Sequence, residues 1–528
     1  VNRKGYITDI GAVGFATLIG LLIRLAAPVT SDFPLNDGGL FYSIIVDLRS
    51  NHFVLPETTS YNLSSIPFAY PPLAFYFYAA LNTVTHIPIL DLMRVLPAIV
   101  SAAAIPAFYL LAREIASSKL EAALATFIFA LVPRAFDWLI MGGGVTRSLG
   151  LLFALLAMRQ AYILFSPQAP NKAIWSMILA GGLVVCSHPE ATAHTILSAI
   201  FFYVWKDRSR NGFFRAMLSG IGIAILTSPW WVTILVRHGL DPFLAAASAA
   251  GQDSYNIALN LFALFEFNFA DEPVLTIISV LGLIGVFYLL ARKEFFLALW
   301  FVIMHIFEPR GGSLFTMIPL ALFAGVGLDR VILPALSTQY ESLYLNPGAS
   351  GWAPSKYFLS GRYAKIFTGF LLIYLLIAAY LVGLRIRQDS TLTNADLQAM
   401  LWVKTNTTDT SKFALVTGQL PLHDPISEWF PALAERQSVA TVFGLEWIND
   451  GKFGAHINDY RALQLCANQR IKCLDDWVAQ NGNEINYVFI HSAKGIDVKD
   501  LPLSVALENS PAYELVYDAG EIEIFHKK

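Results

Sequence analysis

Charged residues are what this sequence most conspicuously lacks. Asp, Glu, Lys and Arg make up 14% of its 528 residues, against 55% hydrophobic, whereas a water-soluble chain carries about 25% charged residues. A wholly soluble enzyme is excluded on that ground. The formal net charge of -3 argues against a nucleic-acid partner, which would call for a basic surface. Cysteine is nearly absent too, with three in the chain. Cys186 lies in an apolar run and reads as a small core residue. Cys466 and Cys473 follow the last apolar run; they pair if that region faces an oxidising compartment and stay free thiols otherwise. There is no Walker A loop, no GxGxxG, no zinc-ligand spacing and no internal repeat, so nucleotide-driven chemistry and repeat architectures have no support here.

What the chain has in abundance is apolar runs, nearly all before about residue 385. A membrane span needs about 17–25 mostly apolar residues. Spans are predicted at 10–28, 92–112, 119–136, 147–165, 173–188, 190–205, 216–236, 273–291, 294–307, 313–330 and 366–384, about eleven in all. Lys and Arg recur in alternate loops: Arg3 and Lys4, Arg113 with Lys119, Lys172, the Lys206–Arg215 cluster, Arg292-Lys293, and Arg330 through Lys365. Those loops are cytoplasmic by the positive-inside rule. An odd number of spans then puts the C-terminal region outside. Phe68–Tyr78 is apolar but short and rich in Tyr, a residue of the headgroup layer, so an interfacial helix is predicted there rather than a span.

The expected fold class is therefore a polytopic α-helical membrane protein with a C-terminal soluble α/β domain. Residues 1–387 form the membrane part, with a long first outer loop at 29–91, and 388–528 the extracytoplasmic part. Within the latter, Asn394–Thr405 has helical periodicity, 412–416, 486–490 and 521–525 read as strands, and 474–480 as helix. The chain is expected in the cell membrane as a multi-pass protein, with the lipid bilayer as its first partner.

Acids at membrane boundaries carry the chemistry, because an unpaired charge there costs several kcal/mol. Asp37 follows the first span, just before Gly38-Gly39 and a helix-like Leu40–Leu48. It is a candidate catalytic group, with a plainer reading as a helix-capping carboxylate. Asp137 lies in the second outer loop, followed by Gly142-Gly143-Gly144 and Arg147. The glycines suit close approach of backbone amides to an anion such as a phosphate, and Arg147 would bind the same group unless it merely snorkels. His188-Pro189-Glu190 occupies the third outer turn, and Glu308 and Arg310 the fifth. Each of these alone reads as structural. Collected in one layer, they would bind a divalent cation and a lipid phosphate together.

With these residues in place the chain resembles the GT-C glycosyltransferase superfamily, polytopic enzymes that use polyprenyl-phosphate-linked sugars. The resemblance covers most of the membrane part. It rests on Asp37 after the first span, Tyr70-Pro71-Pro72-Leu73 in the first outer loop, Arg94-Val95-Leu96-Pro97 and Leu111-Ala112-Arg113-Glu114 bounding the next span, Asp137, and Arg310 before Pro319. The Trp-Trp-Asp-Tyr-Gly run of oligosaccharyltransferases is missing; Ser427-Glu428-Trp429-Phe430-Pro431, with Arg436 after it, is the nearest stretch. The resemblance implies an inverting transfer from a polyprenyl-phosphate sugar donor to an acceptor hydroxyl on a glycolipid, polysaccharide or protein. Asp37 would be the general base. Arg147 and Arg310 would hold the phosphate, and Asp137 a metal or the sugar. A Mg or Mn ion held by Asp37, Asp137 and Glu308 would fit the same scheme. Tyr70, Glu428, Trp429, Arg436 and Trp447 would line the substrate cleft. A transporter or lipid flippase is the first rival, with acids near the bilayer midplane, and a non-catalytic receptor or scaffold the second.

Overall fold

The computed structural model describes residues 3–166, 168–252, 269–307, 314–336, 361–389, 392–448, 450–482, 484–492 and 496–528. The apolar stretch around 259–268, Glu308 and Arg310 lie outside the described residues.

Every predicted span falls on a helix. The membrane helices are α1 (Arg3–Val29), α4 (Ile89–Ile115), α5 (Lys119–Leu131), α6 (Gly144–Leu164), α7 (Lys172–Val185), α8 (Pro189–Lys206) and α9 (Arg210–His238). Beyond α10 (Asp241–Gln252) come α11 (Ile277–Ala291), α12 (Phe296–Ile306), α13 (Met317–Ala335, with a π turn) and α14 (Arg362–Asp389). Six of them, α1, α4, α6, α9, α13 and α14, are long and apolar enough to cross a membrane. α5 joins them if it is counted with Pro133–Leu139, to which it bends by 85°. α7, α11 and α12 are apolar but have only 14, 15 and 11 residues. At about 1.5 Å per residue they fall short of a hydrocarbon core of roughly 30 Å. The count of eleven is thus one of helices among the described residues, and six have full spanning length.

The long segment between α1 and α4 is structured. It holds α2 (Gly39–Ser50), a short turn at Tyr61–Leu63 and α3 (Leu73–Thr85). α3 is the helix expected at the interface, but it starts five residues later because Pro71 and Pro72 have no N–H to give, and Pro72 serves as its N-cap. Phe75 and Tyr78 on α3 are fully buried. Arg94, at the start of α4, ties down the loop's beginning by donating to the Ser31 carbonyl at 2.7 Å.

Residues 392–528 form an α/β unit around a five-stranded sheet ordered β2-β1-β3-β5-β4. β1 (Lys412–Val416) pairs in parallel with β2 (Gln437–Ser438) and β3 (Tyr487–His491), while β5 (Ile522–Lys527) runs antiparallel to β3 and β4 (Tyr513–Asp518). The helices are α15 (Asn394–Asn406), α16 (Pro425–Leu433), α17 (Phe453–Leu465), α18 (Ile471–Asn481) and α19 (Pro502–Glu508). One face of the sheet is closed by Leu463, Trp477 and Leu503, and a Cys466–Cys473 disulfide fastens α17 to α18. The other face shares a single apolar core with the segment between α1 and α4: Phe413, Trp429, Phe430 and Phe489 join Phe33, Tyr61, Phe68 and Phe75. Asn62 seals this contact, donating to the Ser438 carbonyl at 3.0 Å and accepting its N–H at 2.7 Å. Asn62, in the glycosylation-type triplet Asn62-Leu63-Ser64, is therefore buried and engaged, whereas Asn406, in Asn406-Thr407-Thr408, sits exposed at the end of α15.

α16 is the element of this unit that reaches the Asp37 loop. It begins where Asp424 caps it by accepting the Ser427 N–H at 3.2 Å, with Pro425 at the first helical position. Asp424 is itself fixed by Thr417 Oγ1 at 2.6 Å and by the Tyr460 hydroxyl at 2.5 Å.

Candidate active site

Asp37 sits where α2, α6 and α16 converge. Its carboxylate does not cap α2, which has no side-chain cap. It turns instead to the N-terminus of α6. Oδ1 accepts the Gly143 N–H at 2.7 Å and Oδ2 accepts from Arg147 Nη1 at 2.9 Å. An anion there is favoured by the helix dipole and by the guanidinium together. The ion pair is partly open, with the Asp37 side chain 13% and the Arg147 side chain 24% exposed. Arg147 spends one of its five N–H donors on Asp37 and lies over the Trp138 ring at 5.4 Å.

The three glycines act differently from the sequence expectation. Their amides are not free to cradle an outside anion: Gly142 N–H donates to the Leu35 carbonyl, Gly143 to Asp37 and Gly144 to the Met141 carbonyl. They are needed for close approach. A Cβ on Gly142 would run into the Asp37 backbone, and one on Gly143 would stand 2.6 Å from Arg147 Nη1. The anion served here is the carboxylate of Asp37, through the Gly143 amide alone.

Tyr70 belongs to the same cleft. Its hydroxyl is 3.3 Å from Thr146 Oγ1, and its ring packs against Phe41, Trp447 and His188 at 5.0, 5.3 and 6.3 Å between centroids. Glu190, two residues past His188, faces Arg147 closely enough to act on its charge. Glu428 lies behind the Asp37 loop rather than in the cleft. It is 4% exposed, Oε1 accepts the Gly38 N–H at 2.8 Å, and Oε2 is buried with no hydrogen-bond partner among the described residues. Burial, reinforced by the charge of Asp37, pushes the Glu428 carboxyl well above the usual range.

Two expected site residues stand elsewhere. Arg436 is buried and caps the end of α15, donating to Thr407 Oγ1, the Lys404 and Thr407 carbonyls and its neighbour Glu435. With those donors engaged it is a structural clasp and not a substrate ligand. Asp137 is 8% exposed and accepts its neighbour Trp138's N–H at 2.7 Å. It lies beside Arg134, which pairs with Asp271 at 2.9 Å. No group of three His, Cys, Asp or Glu suited to a cation occurs among the described residues, and Glu308, the third acid of the expected set, lies outside them. Tyr61, Trp138 and Glu446 carry no sequence signal that marks them as site residues. Glu446 joins Asp37 and Arg147 as a charge acting on Glu428.

Comparison with solved structures shows which fold this is. The chain superposes on the archaeal oligosaccharyltransferase AglB from Archaeoglobus fulgidus, in complex with an inhibitory peptide and a dolichol-phosphate, with a TM-score of 0.62 at 15% identity, covering 93% of this chain and 70% of that one. The chain has the fold of the GT-C glycosyltransferases. Further GT-C structures agree. The mycobacterial arabinofuranosyltransferase AftD matches with a TM-score of 0.52 at 15% identity over 98% of this chain, which spans 40% of AftD. ArnT from Cupriavidus metallidurans bound to undecaprenyl phosphate matches with 0.50 at 12% identity over 99% and 98% of the two chains. No protein-family model matches the sequence, and no curated protein matches it. The GT-C likeness is thus carried by the three-dimensional arrangement. In this chain the α/β unit shares its apolar core with the segment between α1 and α4.

Proposed function

We propose that the protein transfers a sugar from a polyprenyl-phosphate donor to an acceptor hydroxyl, with inversion, at the outer face of the membrane. The observation that carries this reading is the Asp37–Arg147 pair, which sets a proton acceptor 2.9 Å from a phosphate-binding cation. The acceptor oxygen attacks the anomeric carbon while the bond from that carbon to the phosphate oxygen breaks. The phosphate leaves with the bonding electrons and takes up the remaining N–H donors of Arg147. The acceptor's proton passes to a free lone pair of the Asp37 carboxylate and thence to solvent. Tyr70, Trp447 and His188 offer aromatic faces for the sugar or the acceptor.

The donor's tail has a matching space. A cavity of about 460 Å³ lies between α7, α8 and α9, lined by Met177, Gly181, Ala199, Gly220, Ile223 and Trp231 among others. Ligand sites are commonly about 300–1,000 Å³. Thr192, Thr195 and Thr227 on its wall return their hydroxyls to helix carbonyls, which leaves the surface apolar. Thr192 on its wall is one helical turn from His188, whose ring packs against Tyr70. The disulfide supports an oxidising, extracytoplasmic setting for the α/β unit, in line with the basic clusters on the opposite loops. AglB and ArnT, as solved with dolichol-phosphate and undecaprenyl phosphate, support a polyprenyl-phosphate donor as the class.

The test is sugar transfer from a polyprenyl-phosphate donor by the protein in proteoliposomes. Replacing Asp37 by Asn is expected to lower kcat by about 10²–10⁴, the range of a positioned base. Full activity of that variant would overturn the assignment. Solute uptake without any sugar donor would favour a transporter instead.

A further inference from the structure

We propose that Glu428 and Trp429, adjacent residues on α16, are positioning residues that hold the Asp37 loop, so that the reacting carboxylate is set by the seating of the C-terminal α/β unit. The proposal rests on the reading of Asp37 as the reacting group.

Two bonds from α16 bracket that residue. On one side the Trp429 indole N–H donates to the Asn36 carbonyl at 2.8 Å. On the other the Gly38 N–H donates to Glu428 Oε1 at 2.8 Å. Asp37 is the single residue between them. The opposite side of the same loop is fixed by Gly142 and Gly143, whose amides bond Leu35 and the Asp37 carboxylate. Gly38 adopts φ 131°, a conformation that only glycine takes readily, so the loop needs outside contacts to stay in it. Packing adds to the bonds. Trp429 meets Phe33 edge-on at 4.7 Å, and a Cβ on Gly39 would collide with the Glu428 carbonyl. That carbonyl also accepts the Tyr61 hydroxyl at 2.7 Å. Glu428 and Trp429 are themselves 4% and 0% exposed. Glu428 Oε1 and the Trp429 N–H both bond backbone groups of this loop, so the pair bears on Asp37 through the loop.

Sequence places these partners about 390 residues apart, in different units of the fold. A displaced α/β unit would therefore release the Asn36–Gly38 backbone before it disturbs the membrane helices.

The test uses the full chain in lipid nanodiscs with the variants E428A, E428Q and W429F. E428A removes the acceptor for the Gly38 N–H. It is expected to lower kcat about 10- to 100-fold, as a misplacement near 1 Å does, while KM for the donor stays within about twofold. E428Q keeps an oxygen at the same place and should recover most of the lost kcat. W429F, which keeps an aromatic face but loses the N–H and part of the indole's volume, should lower kcat with KM unchanged. Hydrogen exchange of the peptide around Gly38 gives a readout that needs no turnover. It should quicken about tenfold in E428A and stay near wild type in E428Q. Equal kcat losses in E428A and E428Q with raised KM would make Glu428 a substrate ligand and overturn the proposal. So would unchanged exchange in E428A. If wild type transfers no sugar, the functional reading fails, while the exchange comparison still decides the clamp.

Discussion

Gly143 offers the sharpest perturbation of the site, because its replacement by Ala changes almost nothing except the position of Asp37. Its backbone sits at φ -64° and ψ -13°, where Ala is as comfortable as Gly and a better helix former. No backbone strain is introduced. The new Cβ, however, would lie 2.6 Å from Arg147 Nη1 and 2.8 Å from Asp37 Cγ, where ordinary contact is 3.4–4 Å, and nearer still to Asp37 Oδ2. The carboxylate and the guanidinium must each retreat by the better part of an ångström. A misplacement of about 1 Å at a reacting group can cost roughly 10²-fold, and local overpacking costs about 1–3 kcal/mol of stability. The measurement is kcat for sugar transfer beside a thermal melt of each variant. Gly369, with nothing within 4 Å of its Cβ position, supplies the control G369A, expected to behave as wild type. G143A should melt within a few degrees of wild type and lose about a hundredfold in kcat. Wild-type kcat in G143A, with D37N inactive, would show that the carboxylate tolerates displacement. The geometric account of the site would then be wrong.

The tail cavity and the α/β unit offer two more perturbations. Gly220 lines the α7–α9 cavity with nothing within 4 Å of its Cβ position, so G220L adds a side chain that narrows it; KM should rise about tenfold, the loss of roughly 1.4 kcal/mol of apolar burial, for a long polyprenyl donor and stay unchanged for a farnesyl-length one. Equal effects on both donors would place the tail elsewhere. In the α/β unit, His491 pairs with Asp396 at 3.1 Å. Burial pulls His491 down, but the bond to Asp396 and the nearby carboxylates outweigh it and leave the imidazole above its usual 6.5. Burial pushes Asp396 up, but His491 and the Thr393 bonds outweigh it and leave the carboxyl below 3.8. The histidine's contribution is complete below 6.5 and is lost as pH rises through its raised value. The aspartate's is complete above 3.8 and is lost as pH falls through its lowered one. The pair therefore stabilises most between about 4 and 6.5, and breaking it costs about 3–5 kcal/mol. Melting of the full chain against pH should show a fall above neutrality that H491Q abolishes; identical profiles would refute the linkage.

How far the sequence reaches is clear from particular residues. Apolar period and length mark each membrane helix, because lipid contact is written in local composition. Length then separates the helices, since α7, α11 and α12 are as apolar as their neighbours but have only 14, 15 and 11 residues. β1, β3 and β5 are legible in their β-branched and aromatic runs; β4, with alternating Glu, Val and Asp, carries too little signal to be read as a strand. Asp37 is legible from its place beside Gly38-Gly39. Its partners are harder to read. Arg436 and Arg147 look alike in sequence, as arginines near glycine- or aromatic-rich segments, and only the surrounding carbonyls decide that one clasps α15 while the other faces the cleft. The triple glycine does mark a close approach to an anion, but that anion is an internal one, 106 residues away.

Asp37 and Glu190 act on the charge of Arg147, and Asp37, Arg147 and Glu446 act on Glu428. Burial and the charge of Asp37 push the Glu428 carboxyl well up, while Asp37 itself pairs with Arg147 at 2.9 Å. On the proposed reading this pairing is also what times the reaction. While Arg147 holds Asp37, the guanidinium's charge is engaged by the carboxylate. As the sugar leaves, negative charge builds on the departing phosphate and competes for the same guanidinium. The more Arg147 turns to the phosphate, the less it stabilises Asp37, and the stronger a base Asp37 becomes as the acceptor's proton comes free. A base tethered to the phosphate's own counter-ion gains strength as the leaving group departs. The same loop is braced from behind by Glu428 and Trp429, so that the carboxylate stays in place as the guanidinium shifts.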